Sequence, residues 1–256
     1  MLSLRQVDDF AVASADNNTN REIIKAIDKE FSTKIKDLGR LNRYNGVDVS
    51  QTGDYIKLSK ETYIEKVMKG HPWLAKDQHI ASVPIPMKSE NDYIRMLENA
   101  TPPTTEKERQ QLQVDMGLNY RQAVGALIYL MVTCRPNISY PLIKLSQYNT
   151  KPAKEHYEAI KHTFKYVRAT ISDGLYYWRK DKRQDLPKGP DPTTKPSNYD
   201  NSITTRGNNT TQLHAAIDSD WGGSTRNRKS VTCMIIRIAG GTVVYETKYQ
   251  DAVSLS

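Results

Sequence analysis

YRQAVGALIYLMVTCRPNI, residues 120–138, is the most strongly patterned run in the chain. Val124, Leu127, Ile128 and Met131 recur at spacings of three and four, which sets them along one stripe of a helix. The spacing predicts a helix over 120–134 with that stripe against a core. Arg135-Pro136 ends it, because proline disfavours helical geometry in the residue before it. Two further helices are expected near 138–148 and 153–170, and a strand over 175–178. Together with the strands outlined below, this predicts an α+β fold.

Upstream, Ile23, Ile24, Ile27 and Phe31 mark an amphipathic helix over 19–32, with Thr19 or Asn20 placed to cap it. Val47, Val49, Tyr55 and Leu58 suit a hairpin turned by Gln51-Thr52-Gly53-Asp54. A helix over 59–69 follows, with Ile64, Val67 and Met68 on one side and Gly70 and Pro72 as its stop. Residues 77–105 hold Pro84, Pro86, Pro102 and Pro103 among many charges and read as an extended connection, with a short helix over 106–114. At the start, residues 2–5 and 10–13 read as strands around Gln6-Val7-Asp8-Asp9. A lone hairpin is marginal in water, so partners upstream are expected.

Downstream, 181–211 carries Pro187, Pro190, Pro192 and Pro196 with much Asn, Thr and Ser. Such a stretch cannot bury enough apolar surface to offset its ordering entropy, and a disordered linker is expected. Residues 213–217, 231–238 and 242–245 then look like strands, the last two joined by Ala239-Gly240-Gly241. The chain stops in a polar-apolar run unlike a domain end. No internal repeat is visible.

Over 256 residues, apolar side chains make up 38% and charged ones 26%, with a formal net charge of +8. The mean hydropathy is −0.67 and the pI about 9.3. A basic balance favours anionic partners such as nucleic acid, and equally suits a basic soluble enzyme. There are 2 cysteines, Cys134 and Cys233, and no CxxC pair, which argues against a zinc cluster and for buried thiols in a reducing compartment. MLSLRQVDDF holds no secretory signal, and the longest apolar window, 123–134, is too short for a bilayer. An intracellular protein with no membrane association is expected.

Three carboxylates stand out. Asp8 and Asp9 are adjacent on a turn between strands, where they could hold Mg²⁺, a hard cation that takes oxygen ligands. Two-metal phosphoryl transfer needs such carboxylates around both ions; aspartate is also common in turns for its own backbone hydrogen bonds. Asp218 and Asp220 close the strand over 213–217 at a spacing that points both to one face, and a plain turn before Gly222-Gly223 would look the same. The 5 histidines show no ligand spacing, and His156 and His162 fall on opposite faces of one helix. No catalytic triad or P-loop is readable. Tyr176-Tyr177-Trp178 could stack bases or form a core strand.

Taken in order, these segments resemble the reverse transcriptase–RNase H region of copia-type long-terminal-repeat retrotransposons. Gln6-Val7-Asp8-Asp9-Phe10 looks like the Tyr-Val-Asp-Asp polymerase motif, with Gln6 for its aromatic. Residues 35–41 (IKDLGRL) and 44–49 (YNGVDV) resemble the block "DLG-L-YFLGIEI", and 56–63 (IKLSKETY) resembles "I-LSQ-KYI". Residues 120–130 with Thr133-Cys134-Arg135-Pro136-Asn137-Ile138 resemble "YR-AVGSLLYL—TRPDI". Pro152 to His156, Ala169-Thr170 and Gly174-Leu175-Tyr176 match "P—H", "GT" and "GL-Y". Asp218-Ser219-Asp220-Trp221-Gly222-Gly223, with Arg228 to Thr232, resembles the RNase H opening "DSDWAG—RRSTSG".

The resemblance implies a partial palm hairpin, a helical thumb and connection, and a partial RNase H-like sheet. The implied division is 1–70 palm and thumb remnant, 71–180 thumb-connection, 181–211 linker and 212–256 truncated RNase H. Asp8 and Asp9 would be polymerase metal ligands, Asp218 the first RNase H carboxylate, and 35–58 a guide for the primer end. Mg²⁺ would be the cofactor, with RNA template, DNA primer and RNA–DNA hybrid as partners. The third polymerase aspartate belongs to an upstream half, and the RNase H glutamate would follow Ser256, so an inactive isolated chain is expected. Gln6, and Asn45 in place of an apolar residue of "FLG", suggest a decayed or partial copy.

Overall fold

In the computed structural model, residues 2–6, 9–13, 17–31, 36–77, 79–86, 90–179, 213–219 and 229–253 are described. In chain order they form strands β1 (Leu2–Gln6) and β2 (Asp9–Ala13), helix α1 (Asn17–Phe31), strands β3 (Arg43–Tyr44), β4 (Val47–Gln51) and β5 (Tyr55–Ser59). Helices α2 (Glu61–Lys69), α3 (Pro72–Lys76), α4 (Glu90–Asn99), α5 (Glu106–Met116), α6 (Tyr120–Thr133), α7 (Ser139–Ser146) and α8 (Lys154–Ala169) follow. Strands β6 (Gly174–Trp178), β7 (Leu213–Ser219), β8 (Lys229–Ile238) and β9 (Gly241–Val253) complete the mixed α and β fold.

The expected stripe of α6 forms the centre of the helical core. Val124 and Leu127 are 1% and 0% exposed, with Ala123 and Leu130 beside them, while Ile128 and Met131 pack half-buried at its margin. Ile64, Leu74, Leu97, Leu142, Ile160 and Phe164 meet them from α2, α3, α4, α7 and α8. All of these helices lie in sequence between β5 and β6, yet those strands pair antiparallel, with Leu58 opposite Leu175. The four-stranded sheet β3-β4-β5-β6 therefore closes across the whole helical excursion.

Helix α4 occupies a stretch expected to be extended, and α3 one where no element was expected. Pro72 begins α3 as well as ending α2: at the first helical position its missing N–H has no partner to lose. The stretch 77–105 is not wholly extended, because its prolines bracket α4 rather than fall within it. Ile94 and Leu97 on α4 are 6% and 1% exposed. Helix α5 has a full capping box between Thr105 and Glu108. Helix α2 starts two residues later than expected, because Ser59 still belongs to β5, and its Thr62 amide donates to the Asp48 carboxylate at 3.0 Å. Helix α1 starts at Asn17, so Thr19 and Asn20 lie inside its first turn and cannot be its cap. Strand β9 runs well beyond 242–245, pairing with the length of β8. The linker stretch 181–211 lies outside the described residues.

Asn45 does not occupy a core position. Tyr44 pairs with Val47, leaving Asn45-Gly46 as a two-residue turn with φ of 48° and 69°. Such turns need positive φ at both positions, which asparagine and glycine tolerate best. Asn45 is exposed, so its polarity carries no burial penalty and is no sign of decay. Restoring the apolar residue, Asn45→Leu, is expected to lower stability by about 1 kcal/mol, read as an earlier urea midpoint; a gain in stability would contradict this turn assignment.

Candidate functional site

Strands β1 and β2 form an antiparallel hairpin in which Gln6 faces Asp9. Asp9 is thus the first residue of β2, at the tip end of a hairpin and not in a helix. Asp8 lies outside the described residues, as does Asp220. Asp218 lies near the end of β7, opposite Cys233, with its side chain exposed. One of its carboxylate oxygens accepts the Ser219 amide at 2.9 Å. Asp9 and Asp218 belong to different sheets. Among the described residues, no three His, Cys, Asp or Glu side chains are grouped to hold a metal, and no helix is long and apolar enough to cross a membrane.

The two histidines of α8 bond to the backbone. His156 is 1% exposed; its Nδ1 accepts the Ala153 amide at 2.8 Å, which leaves Nε2 to donate to the Leu97 carbonyl at 2.8 Å. His162 Nε2 meets the Val83 carbonyl at 3.0 Å, Thr163 Oγ1 donates to Pro84 O at 3.0 Å, and Arg168 donates to the carbonyls of Leu74 and His79. One face of α8 thereby satisfies the carbonyls of the proline-bearing segment that crosses it. Burial lowers the pKa of His162 and His71, which favours their neutral forms.

Sequence reading missed three buried cations, Lys60, Arg135 and Lys144. Lys60 is 1% exposed, and its Nζ donates to Gly46 O at 2.8 Å and to the Tyr129 hydroxyl at 2.6 Å. It fastens the β3–β4 turn to α6. Arg135 is also 1% exposed; Nε donates to Asn137 Oδ1 at 3.1 Å, Nη1 to Thr170 O at 2.8 Å and Nη2 to Thr170 Oγ1 at 2.6 Å. A lysine at a strand–helix junction and an arginine after an apolar helix give no sign of burial by periodicity. Next to Arg135, burial pushes the Cys134 thiol up to about 11, which keeps it protonated and unreactive at neutral pH. An open depression is lined by Thr101, Pro102, Pro103, Glu108 and Lys154, and neither Lys60, Arg135 nor Asp218 lines it.

The retrovirus-related Pol polyprotein from transposon TNT 1-94 of Nicotiana tabacum is 27% identical over 258 aligned residues, which cover 100% of this chain and 16% of that polyprotein. Several of the proteins this chain resembles are retrotransposon Pol polyproteins. The one from transposon RE2 of Arabidopsis thaliana is 25% identical, over 96% of this chain and 14% of its own length. An uncharacterized mitochondrial protein of Arabidopsis thaliana is 25% identical over 100% of this chain and 86% of that protein. This chain therefore spans about 16% of the tobacco polyprotein's length. No protein-family model matches it, and no solved structure does.

Proposed function

We propose that this chain corresponds to the Pol segment holding the C-terminal part of a reverse transcriptase and the start of RNase H, and that taken alone it is not catalytic. The observation that supports this reading is the similarity to the tobacco Pol polyprotein along 100% of this chain, beside the order of motif-like segments from Asp8-Asp9 to Asp218 in the sequence. On this reading residues 1–70 come from palm and thumb, 71–180 from thumb and connection, 181–211 from a linker and 212–256 from RNase H. RNA template, DNA primer and RNA–DNA hybrid are the partners.

Mg²⁺ fits only in part. Bound metal would neutralise charge on the attacking and leaving phosphate oxygens. Asp218 offers an exposed carboxylate with one oxygen engaged by Ser219, so it can supply one ligand. Asp8 and Asp9 would supply the polymerase pair. An ion held by so few carboxylates keeps mostly water and binds weakly. What remains for the chain alone is electrostatic attachment to nucleic acid through its net charge of +8.

That attachment is testable. Anisotropy titrations with RNA–DNA hybrid and with duplex DNA are expected to show weak binding without sequence preference. Affinity should fall steeply with salt, with a slope near −0.9 per phosphate contacted on B-form DNA. Absence of binding at low salt, or binding indifferent to salt, would reject it.

A further inference from the structure

The strand pairing gives the β7–β9 sheet two unlike faces. Tyr245, Thr247 and Tyr249 of β9 alternate onto one face, opposite Ile235, Cys233 and Val231 of β8. The other face carries Leu213, Ile217 and Val244, which are 64%, 68% and 45% exposed. The first face is engaged. The Tyr245 hydroxyl donates to Met131 O at the C-terminal end of α6. Lys144 of α7, 4% exposed, sets its ammonium 5.0 Å from the Tyr249 ring and 5.8 Å from the Tyr140 ring. Among the described residues its buried Nζ has no hydrogen-bond partner, and attraction to the two rings compensates it.

The β8–β9 turn is engaged as well. The Trp178 amide donates to Ala239 O at 2.8 Å, and the Tyr177 hydroxyl donates to Thr242 O at 2.7 Å. A Cβ on Gly241 would lie 2.4 Å from the Tyr177 ring and 2.7 Å from Tyr176 O. The absence of a side chain there is what lets the hairpin settle on β6. The contacts are specific, spread over β6, α6 and α7, and made by residues 213–253 with partners before residue 180. None of them uses the connection between.

We propose that the face formed by β6, the end of α6 and α7 is a receptor for the β8–β9 hairpin which holds it without the covalent connection, so that the β7–β9 sheet of one copy can be taken up by another. The proposal is independent of any catalytic reading. The recognition elements are the carbonyls of Ala239 and Thr242, the side-chain-free Gly241 and the rings of Tyr245 and Tyr249.

The test uses the full chain with a protease recognition sequence inserted within 181–211 and an affinity tag at the N-terminus. After folding and cleavage, the C-terminal piece is expected to stay on the resin with the tagged piece and to exchange with labelled C-terminal piece from a second preparation. Its release as a free species immediately after cleavage would overturn the proposal. Tyr177→Phe and Tyr245→Phe keep the rings and are each expected to weaken retention roughly fivefold, the worth of one net hydrogen bond. Gly241→Val should abolish it. Retention unchanged in the Phe double variant would also overturn the proposal, and that variant answers the question even if Gly241→Val fails to fold.

Discussion

Replacing Arg135 by alanine will lower the unfolding free energy by about 3 kcal/mol. Three donors of the buried guanidinium hold Thr170 O, Thr170 Oγ1 and Asn137 Oδ1, and its plane lies 5.7 Å from the Tyr166 ring. Hydrogen bonds from a charged donor are worth about 1.5–3 kcal/mol each, offset by relief of the cation's desolvation. That desolvation is visible as a pKa lowered by burial, with Asp173 opposing it. Removal leaves the carbonyl at the end of α8 without its partner and opens a cavity beside Tyr166. Arg135→Lys should recover little, since one ammonium cannot reproduce the fork. Urea melts at constant m-value measure both; a loss under about 1 kcal/mol for the alanine variant would show that the cluster is not the anchor described.

Gly174→Val will have an effect at least as large, of order 3 kcal/mol or more. A Cβ at Gly174 would sit 2.2 Å from the Leu58 carbonyl oxygen and 3.1 Å from the carbon behind it. The obstacle is backbone in a paired strand, so relief requires β6 to move away from β5. Ser59 opposite Gly174 is 3% exposed, and the separation would wet it. Gly125, on the exposed face of α6 with nothing within 4 Å of its Cβ position, is the matched control: Gly125→Ala should stabilise by about 0.5–1 kcal/mol. Equal effects at the two glycines would contradict the close β5–β6 approach.

Both residues belong to segments that resemble polymerase motifs, and in the structure both sit at packed junctions, Arg135 against Thr170 and Gly174 against Leu58. The amphipathic period of α6 was legible because burial falls on a whole stripe, and the hairpins because turn residues bracket alternating strands. Helix α4 was hidden by the prolines on either side, although Ile94 and Leu97 carried its spacing. Asn45 was misread because a gap in a family pattern was treated as a core position, when positive φ at Asn45 and Gly46 makes it a turn. Lys60, Arg135 and His156 were not legible as buried, since their burial depends on carbonyl partners brought close only by tertiary folding. Of the candidate carboxylates, Asp9 and Asp218 fall on separate sheets and Asp8 lies outside the described residues, so sequence remains the basis for grouping them by activity.

Primer extension is the most direct measurement of the central proposal, that these 256 residues derive from a polymerase–RNase H segment and are not catalytic by themselves. The assay uses the purified chain on a primed RNA template and on an RNA–DNA hybrid, with Mg²⁺ and with Mn²⁺, beside an Asp8→Ala, Asp9→Ala variant. Two-metal chemistry needs carboxylates fixed around both ions by surrounding structure, and in these residues only Asp8, Asp9 and Asp218 are proposed for such roles. The expected result is no primer extension and no hybrid cleavage above the variant. Extension by the unaltered chain that disappears in the variant would contradict the proposal and identify a working polymerase site at Asp8 and Asp9.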